Sequence, residues 1–243
     1  MLWAFWCFGV LLAGFAFVYL LRPETQVLTL YGILARNSAL VITTVSMTRA
    51  WRASRKQWQE SIWLGFAAGF WIWLGAGLLE WLQYFLHKPA YVSYGDYLWA
   101  IGYLPMFSGL VPQLKTGPRT GRRRTIFLLL FLSAGYFAGL IFYIWPHLME
   151  PSRDLPTKVI DFLYLTFNFL LLGMILKVYQ NAPSSESAFK MAFRELALAI
   201  IIMTAADIAL SYFVDPESII FQLLDLPYFL IYFLFFLAGL NQL

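Results

Sequence analysis

The chain has 243 residues, of which 61% are apolar and only 12% carry a charge. Soluble domains carry about twice that share of charge, so the composition excludes an ordinary soluble globular protein. The net charge of +4 is better explained by orientation in a membrane than by nucleic-acid binding. The composition therefore predicts an all-α integral membrane protein.

Apolar runs of about 20 residues recur along the whole chain, and each is long enough to cross a hydrocarbon core of roughly 30 Å. The first run is longer than the apolar part of a signal peptide and has no basic residue before it, which favours a retained transmembrane helix. We predict eight transmembrane helices with no soluble domain between them. They cover residues 2–21, 26–48, 61–86, 94–114, 125–145, 157–179, 191–213 and 219–242.

The basic residues are distributed unevenly between the two sides of this predicted bundle. Twelve lie near the connections from the second to the third, the fourth to the fifth and the sixth to the seventh helix, whereas four lie near the other connections. Because Lys and Arg concentrate in cytoplasmic loops, this bias predicts that the first set of connections is cytoplasmic. Both chain termini should then be cytoplasmic as well.

Short sequence matches relate the two halves of the chain. The second and sixth predicted helices contain LARNSALVI and YLTFNFLLL, which align Asn37 with Asn168. The third and seventh contain GAGLLEWLQYF and MTAADIALSYF, which bring Glu80 close to Asp207. Matches in the same order along both halves indicate an internal repeat.

The fourth and eighth predicted helices continue this series, because Asp96 and Asp225 each precede a tyrosine by seven residues. A repeat with an even number of helices keeps its orientation, so a pseudo-two-fold axis along the membrane normal would relate the halves. We predict two parallel four-helix repeats, 1–116 and 125–243, joined by a basic cytoplasmic linker at 117–124. The alternative is coincidence within a restricted set of residue types.

Several polar and ionisable residues fall inside the predicted helices, most of them in the outer half of the membrane. A charge in hydrocarbon costs several kcal/mol unless it is paired or hydrated, so such residues normally face the interior of a bundle. They predict an outer-half polar cavity that binds a small molecule, an ion or a lipid headgroup. The predicted ligand-binding residues are Glu80, Asp207, Arg36, Asn37, Asn168, Asp225, Asp96 and Asp161.

Each of these residues also has a structural alternative. The acids and nearby tyrosines could form a hydrogen-bond network that only tethers the helices. Ser93 and Asp96 form an S-x-x-D sequence that is typical of a helix cap, and Asp161 lies near the positive end of its helix. Arg36 could neutralise one of the acids or bind an anionic group. Glu80 and Asp207 are the strongest candidates, because neither lies at a helix start.

No motif of a soluble-type enzyme occurs in the sequence. G-x-S-x-G, Walker-type glycine loops, C-x-x-C and H-E-x-x-H are all missing, so no catalytic residue and no enzymatic activity is predicted. His87 and His147 fall at outer helix ends, but they form no H-x-x-x-H pair that would indicate a haem or a metal ion. The sequence indicates no particular cofactor and predicts no metal site.

Three short elements carry a resemblance to a known family: WLGAG, the P-x-x-V-S-x-x-D sequence at Pro89–Asp96, and GYL at 102–104. With the surrounding residues they resemble a segment of the eight-span N-terminal membrane input modules of bacterial GGDEF diguanylate cyclases and histidine kinases. AADIALSYF and LLDLPYFLIYF echo the segment in the second half. The resemblance covers essentially the whole chain and implies a sensor in the bacterial cytoplasmic (inner) membrane, without naming a ligand or a catalytic residue.

Modules of this type precede a signalling output domain, and none follows in this sequence, so the resemblance implies either an excised domain or a stand-alone relative. The leading hypothesis is a sensory or binding module in which ligand binding shifts helices and passes the change to the cytoplasmic side. The alternatives are a small-solute or proton-coupled transporter and an accessory subunit of a larger membrane complex. The predicted partners are the lipid bilayer, the ligand, and a downstream signalling domain or partner membrane protein.

Overall fold

The computed structural model is helical through nearly all of the chain that it describes. The described residues are 2–21, 25–86, 94–116, 122–151, 153–182, 186–212 and 225–243. No strand occurs within these ranges, which confirms the predicted all-α class.

Eight helical segments within the described residues correspond in position to the eight predicted ones, although residues 213 and 219–224 of the last two predicted helices lie outside the described residues. In chain order the α-helices are α1 (Leu2–Leu21), α2 (Thr25–Ala53), α3 (Glu60–Phe85), α4 (Tyr94–Thr116), α5 (Arg122–Gly139), α6 (Trp145–Met149), α7 (Leu155–Asn181), α8 (Ser187–Tyr212) and α9 (Asp225–Leu240). A π-helical turn, Leu140–Ile144, joins α5 to α6, so these two form one long segment. Helix α2 continues past its predicted end at residue 48, where Arg52 in the last turn favours the negative helix end.

Four described segments are long and apolar enough to cross a membrane, and two further apolar helices are shorter. The four are Leu30–Ala53, Glu60–Phe85, Thr125–Met149 and Leu155–Asn181, and the shorter ones are Phe5–Val18 and Leu226–Leu240. At a rise of about 1.5 Å per residue, each of the four exceeds the roughly 30 Å of a hydrocarbon core. The structure therefore contains several helices of the transmembrane type.

Helix contacts follow the same order in the two halves of the chain. Helix α2 packs against α1 and α3, and α3 packs against α4; likewise α7 packs against α5 and α8, and α8 packs against α9. The halves meet where α2 contacts α9 and where α4 contacts α7. Each of these contacts therefore has a counterpart in the other half.

Large aromatic side chains fill the centre of the bundle. Phe70 on α3 and Phe235 on α9 are fully buried, and their rings meet edge to face with centroids 4.9 Å apart. Trp73 follows one turn later on α3 and packs against Tyr103 of α4 at 5.3 Å. Edge-to-face pairs of this type fix the orientations of the rings, so the Trp73 and Tyr103 side chains are held in place by their neighbours.

Glycines bring α3 and α4 into close contact. The Cα atoms of Gly65 and Gly109 face each other, and a Cβ atom added at Gly109 would lie 3.1 Å from the Gly65 Cα. The same added atom would lie 2.4 Å from the carbonyl oxygen of Ser61. Only glycine fits this backbone approach, as in other small-residue helix interfaces.

We expect Gly109→Ala to lower the free energy of unfolding by about 1–3 kcal/mol, the usual cost of overpacking. The added methyl group would collide with backbone atoms of α3, which cannot move aside as a side chain can. Gly9→Ala on α1 is the matched control, since an added Cβ there meets nothing within 4 Å. Thermal unfolding in detergent measures both, and equal melting temperatures for the two variants would contradict the close approach.

Candidate ligand-binding cavity

A cavity of about 780 Å³ lies between the helices at one end of the bundle. Side chains from α2, α3, α4, α7, α8 and α9 line it, together with the π-helical turn and the loop between α6 and α7. The volume falls within the roughly 300–1,000 Å³ typical of small-molecule sites. Both halves of the chain therefore contribute to one site.

The cavity brings together most of the residues that the sequence predicts as ligand-binding. Those that line it are Arg36, Glu80, Asp96, Asp161 and Asp207. Asn168 is fully buried and reaches the site through Asp207, while Asn37 donates a hydrogen bond to the carbonyl oxygen of Ile33 at 3.0 Å. Asp225 begins α9, but its side chain lies outside the described part of the structure, as do Ser93 and its proposed cap.

Glu80 is held between two donors from neighbouring helices. Arg36 Nη2 on α2 donates to Glu80 Oε2 at 2.7 Å, and Trp99 Nε1 on α4 donates to Glu80 Oε1 at 2.5 Å. The Arg36 and Glu80 side chains are 26% and 22% exposed, so the pair lies at the cavity wall. Of the two roles considered for Arg36, the structure therefore shows the ion pair with an acid.

Asp207 accepts hydrogen bonds from two neutral donors. Asn168 Nδ2 donates to Asp207 Oδ2 at 2.9 Å, and the Tyr228 hydroxyl donates to Oδ1 at 2.6 Å. The Tyr103 hydroxyl donates in turn to Asn168 Oδ1 at 2.5 Å. Because Asn168 accepts through its oxygen and donates through its nitrogen, its amide orientation is fixed. The resulting chain of hydrogen bonds joins α4, α7, α8 and α9.

The two acids use equivalent positions in the two halves. Trp99 and Tyr228 each lie three residues after the aligned aspartate of their helix. Trp99 donates to Glu80, and Tyr228 donates to Asp207. These donors were not among the predicted site residues, although both segments carry an aromatic residue three positions after the aspartate.

Ion pairs hold the loop between α6 and α7 against the cavity. Arg153 Nε donates to Glu150 Oε2 at 2.7 Å, and Arg153 Nη1 donates to Asp161 Oδ2 at 3.1 Å. Asp161 is therefore partnered by a specific arginine, in addition to any effect of its helix dipole. Nearby, the Tyr164 hydroxyl donates to the backbone carbonyl of Asp96 at 3.0 Å, which ties α7 to the start of α4.

Asp154 caps the start of α7 at the rim of the cavity. Its Oδ1 atom accepts hydrogen bonds from the hydroxyl of Thr157 and from the Thr157 backbone N–H, the latter at 3.1 Å. These two hydrogen bonds lower the pKa of the Asp154 carboxyl below its ordinary value. An acceptor at this position satisfies a backbone donor of the first turn, so the cap defines where α7 begins.

We expect Asp154→Ala to lower the melting temperature at neutral pH by a few degrees. Because the folded-state pKa is lowered, the ionised cap stabilises the protein above the ordinary aspartate pKa, and this stabilisation is lost as the pH falls through the folded-state value. The difference between wild type and Asp154→Ala should therefore shrink in acid. Asp154→Asn retains an acceptor that does not titrate, so it should be more stable than Asp154→Ala by the same amount at every pH. A difference between Asp154→Asn and Asp154→Ala that changes with pH would contradict the cap.

Aromatic rings form much of the remaining cavity wall. Trp73 packs against Trp99 with ring centroids 5.5 Å apart. Tyr143 belongs to the π-helical turn, in which the Trp145 N–H donates a hydrogen bond to the Leu140 carbonyl oxygen. π-Helical turns occur frequently at functional sites. The aromatic lining residues are Trp73, Trp99, Tyr103, Tyr143, Tyr164, Tyr228 and Tyr232.

Histidine does not line the cavity within the described residues. His147 is buried beside the Tyr143 ring, with centroids 4.9 Å apart, and His87 lies outside the described residues. No group of three or more His, Cys, Asp or Glu side chains in the described part of the chain could hold a metal ion. Acids, arginines and aromatic rings therefore provide most of the polar and aromatic groups of the described cavity lining.

Comparison with known proteins leaves the function open. No protein-family model matches the chain, and no curated protein or solved structure matches it either. The resemblance to membrane input modules therefore stays a prediction.

The described lining combines carboxyl groups, two arginines and aromatic rings. It contains more acids than basic residues, and aromatic rings form much of the rest of the lining. Such a combination is suited to holding a ligand through charge, hydrogen bonds and ring contacts.

Proposed function

We propose that this protein is a multi-pass membrane module that binds a small ligand in the cavity and relays binding to the opposite end of the helix bundle. The observation that carries the proposal is the cavity of about 780 Å³, where ionisable and aromatic side chains from both halves of the chain converge. Ionisable groups inside apolar helices are costly, and they are usually functional in membrane proteins.

The surface of the bundle supports a membrane location. Only 6% of the most apolar part of Thr125–Met149 is buried, and Phe127 and Phe142 are each 72% exposed. A contiguous apolar surface of this type is unfavourable in water but is covered by lipid in a bilayer. The bias of the basic residues would place the cavity end on the outer side, and the resemblance to input modules favours the bacterial inner membrane.

We further propose that the two halves, 1–116 and 125–243, are parallel repeats around a shared cavity. The matching helix contacts support this arrangement, as do the equivalent donor pairs at Glu80 and Asp207. In such an arrangement a ligand between the halves would contact both and could change how they pack against each other.

Hydrogen bonds at the opposite end of the bundle would receive such a change. Gln113 Nε2 on α4 donates to the carbonyl oxygen of Trp58 at 2.6 Å, and Gln59 Nε2 donates to Glu186 Oε2 at 3.1 Å. These contacts tie the α2–α3 connection to the end of α4 and to the start of α8. Because α3, α4 and α8 also line the cavity, a shift there would be passed along rigid helices. The relay requires that the ligand bind one helix arrangement more tightly than another.

The binding proposal is tested by ligand-induced stabilisation of the purified full chain in lipid nanodiscs. A panel of cationic, neutral and anionic small molecules would be screened, because a ligand at about 100 times its Kd stabilises by about 2.7 kcal/mol. We expect the double variant Glu80→Gln, Asp207→Asn to fold but to lose the response.

Glu195→Gln is the matched control, because Glu195 is also an acid on α8 but accepts a hydrogen bond from Asn241, away from the cavity. Its response should equal that of the wild type. A double variant that responds like the wild type, or a panel that stabilises nothing, would overturn the proposed binding function.

A proton-coupled transporter is the second candidate, and the chain from Tyr103 through Asn168 to Asp207 favours it. A buried carboxylate with neutral donors is the type of group that carries protons in transporters. This candidate predicts solute uptake into proteoliposomes that depends on a pH gradient and is abolished by Asp207→Asn. Ligand binding without any flux would favour the sensory module.

A further inference from the structure

We propose that the ligand of the cavity is a small organic cation, such as an amine or a quaternary ammonium compound. This inference rests on the proposed binding function and names the chemistry of the ligand. It depends on three features of the site: the balance of charge in the lining, the aromatic walls and the volume.

The charge balance of the described lining is strongly acidic. Both lining arginines are already engaged by acids, Arg36 by Glu80 at 2.7 Å and Arg153 by Glu150 at 2.7 Å and Asp161 at 3.1 Å. The lining carboxyl groups are Glu80, Asp96, Glu150, Asp154, Asp161 and Asp207. An anionic ligand would meet this excess at short range, where the reduced dielectric constant strengthens the repulsion, whereas a cation would be attracted.

Asp207 is the best counter-charge for such a cation. Its carboxyl oxygens accept hydrogen bonds from Asn168 and Tyr228, which position the group without neutralising it. Glu80 on the opposite half, in contrast, is held by Arg36. The acid of the second half is thus held by neutral donors and that of the first half by an arginine, so the cation would lie nearer the second half.

Aromatic faces supply the second feature. Indole and phenol rings attract a cation that lies within about 6 Å of the ring centroid, and the gain rises when the cation is desolvated. Trp73 packs against both Trp99 and Tyr103, with centroid distances of 5.5 and 5.3 Å, so these rings have fixed orientations before any ligand binds. Tyr228 adds both a ring and a hydroxyl next to Asp207.

The volume argues for an organic cation over a metal ion. A metal site needs several oxygen ligands within about 2.6 Å of one point, whereas a cavity of about 780 Å³ holds a molecule with many atoms. No described cluster of His, Cys, Asp or Glu could hold a metal ion. Aromatic walls also contribute to binding of an organic cation but offer no ligand atom to a hydrated metal ion.

The test compares probes of equal shape and different charge. Choline is compared with 3,3-dimethylbutan-1-ol, its neutral carbon isostere, and with 3,3-dimethylbutanoate, an anion of similar shape. Tetramethylammonium and benzyltrimethylammonium extend the cation series. Binding to the full chain in nanodiscs is measured by calorimetry and by thermal stabilisation at constant ionic strength. We expect at least one cation to bind, its affinity to exceed that of its neutral isostere tenfold or more, and the anion to show no binding.

Variants separate the charge effect from a loss of folding. Asp207→Asn should weaken cation binding about tenfold and leave the weak binding of the neutral isostere unchanged. If this variant does not fold, Asp161→Asn serves instead, because Arg153 would still be paired with Glu150. Glu195→Gln should bind all probes like the wild type.

The outcomes distinguish the cation inference from the proposed function. Equal binding of choline and its neutral isostere, or binding of the anion alone, would overturn the inference while leaving a ligand-binding cavity in place. If no cation binds but another compound of the wider panel binds in an Asp207-dependent manner, the inference also fails and the function stands. If no compound of either set binds, both fail.

Discussion

Arg36→Gln is expected to destabilise the folded protein by about 3 kcal/mol, because it leaves the Glu80 carboxylate without its cationic partner. This cost is at the lower end of the range for a broken buried ion pair, because about a quarter of the surface of each side chain is exposed to solvent. The remaining donor, Trp99, is neutral and makes a single hydrogen bond to Glu80. Unfolding in mixed detergent, followed by circular dichroism, gives the free energy of unfolding.

A double-mutant cycle isolates this ion pair from other effects of the substitution. In Arg36→Gln, Glu80→Gln two neutral amides replace the charges and no uncompensated charge remains, so most of the lost stability should return. A double variant that is less stable than either single variant would contradict the pairing. Full stability in Arg36→Gln alone would do the same.

Asn168→Leu is expected to cost about 3 kcal/mol through a different mechanism, the loss of hydrogen bonds in a buried site. The side chain of Asn168 is fully buried and joins the Tyr103 hydroxyl to Asp207 Oδ2. Leucine has a similar volume but neither donates nor accepts, so Asp207 Oδ2 loses its donor and the Tyr103 hydroxyl keeps only a weak contact with Met203 Sδ at 3.9 Å. Each loss costs about 1–3 kcal/mol.

Tyr103→Phe provides the matched rescue for this variant. It removes the Tyr103 hydroxyl, one of the two groups that lose a hydrogen bond in Asn168→Leu. The double variant Asn168→Leu, Tyr103→Phe should therefore be more stable than Asn168→Leu alone. Thermal unfolding of the four proteins of this cycle gives the coupling between the two residues. Additive effects of the two substitutions would show that the hydrogen bond does not link α4 to α7.

The helices were largely predictable, because each apolar run ends where charged or turn-forming residues begin. The predicted helix at 61–86, for example, corresponds to α3 at Glu60–Phe85. Glu80 and Asp207 were predicted in the outer half of the membrane from their positions along these helices. Their convergence on one cavity was foreseen because a charged group in an apolar helix has few other places to lie.

Partners of these acids were harder to predict, because most helices are apolar around their whole circumference. Without an amphipathic pattern the sequence does not fix how a helix is rotated, and the side-chain neighbours depend on that rotation. Trp99 and Tyr228 were therefore not among the predicted site residues, although they donate to the two acids. Arg153 was likewise absent from the predicted site residues, although it pairs with Asp161.

The π-helical turn at Leu140–Ile144 has a further consequence for the chain that follows it. Pro146 has no N–H to give to residue 142, and its ring would collide with that carbonyl in a regular α-helix. The wider turn, in which Trp145 bonds back to Leu140, relieves this collision by accommodating one extra residue. One residue corresponds to a rotation of about 100° in an α-helix. Pro146 therefore favours the wider turn, and the extra residue sets the rotation of α6 relative to α5. A one-residue change in length at this turn would change that rotation, and with it the direction from which Tyr143 faces the cavity, without breaking the helix.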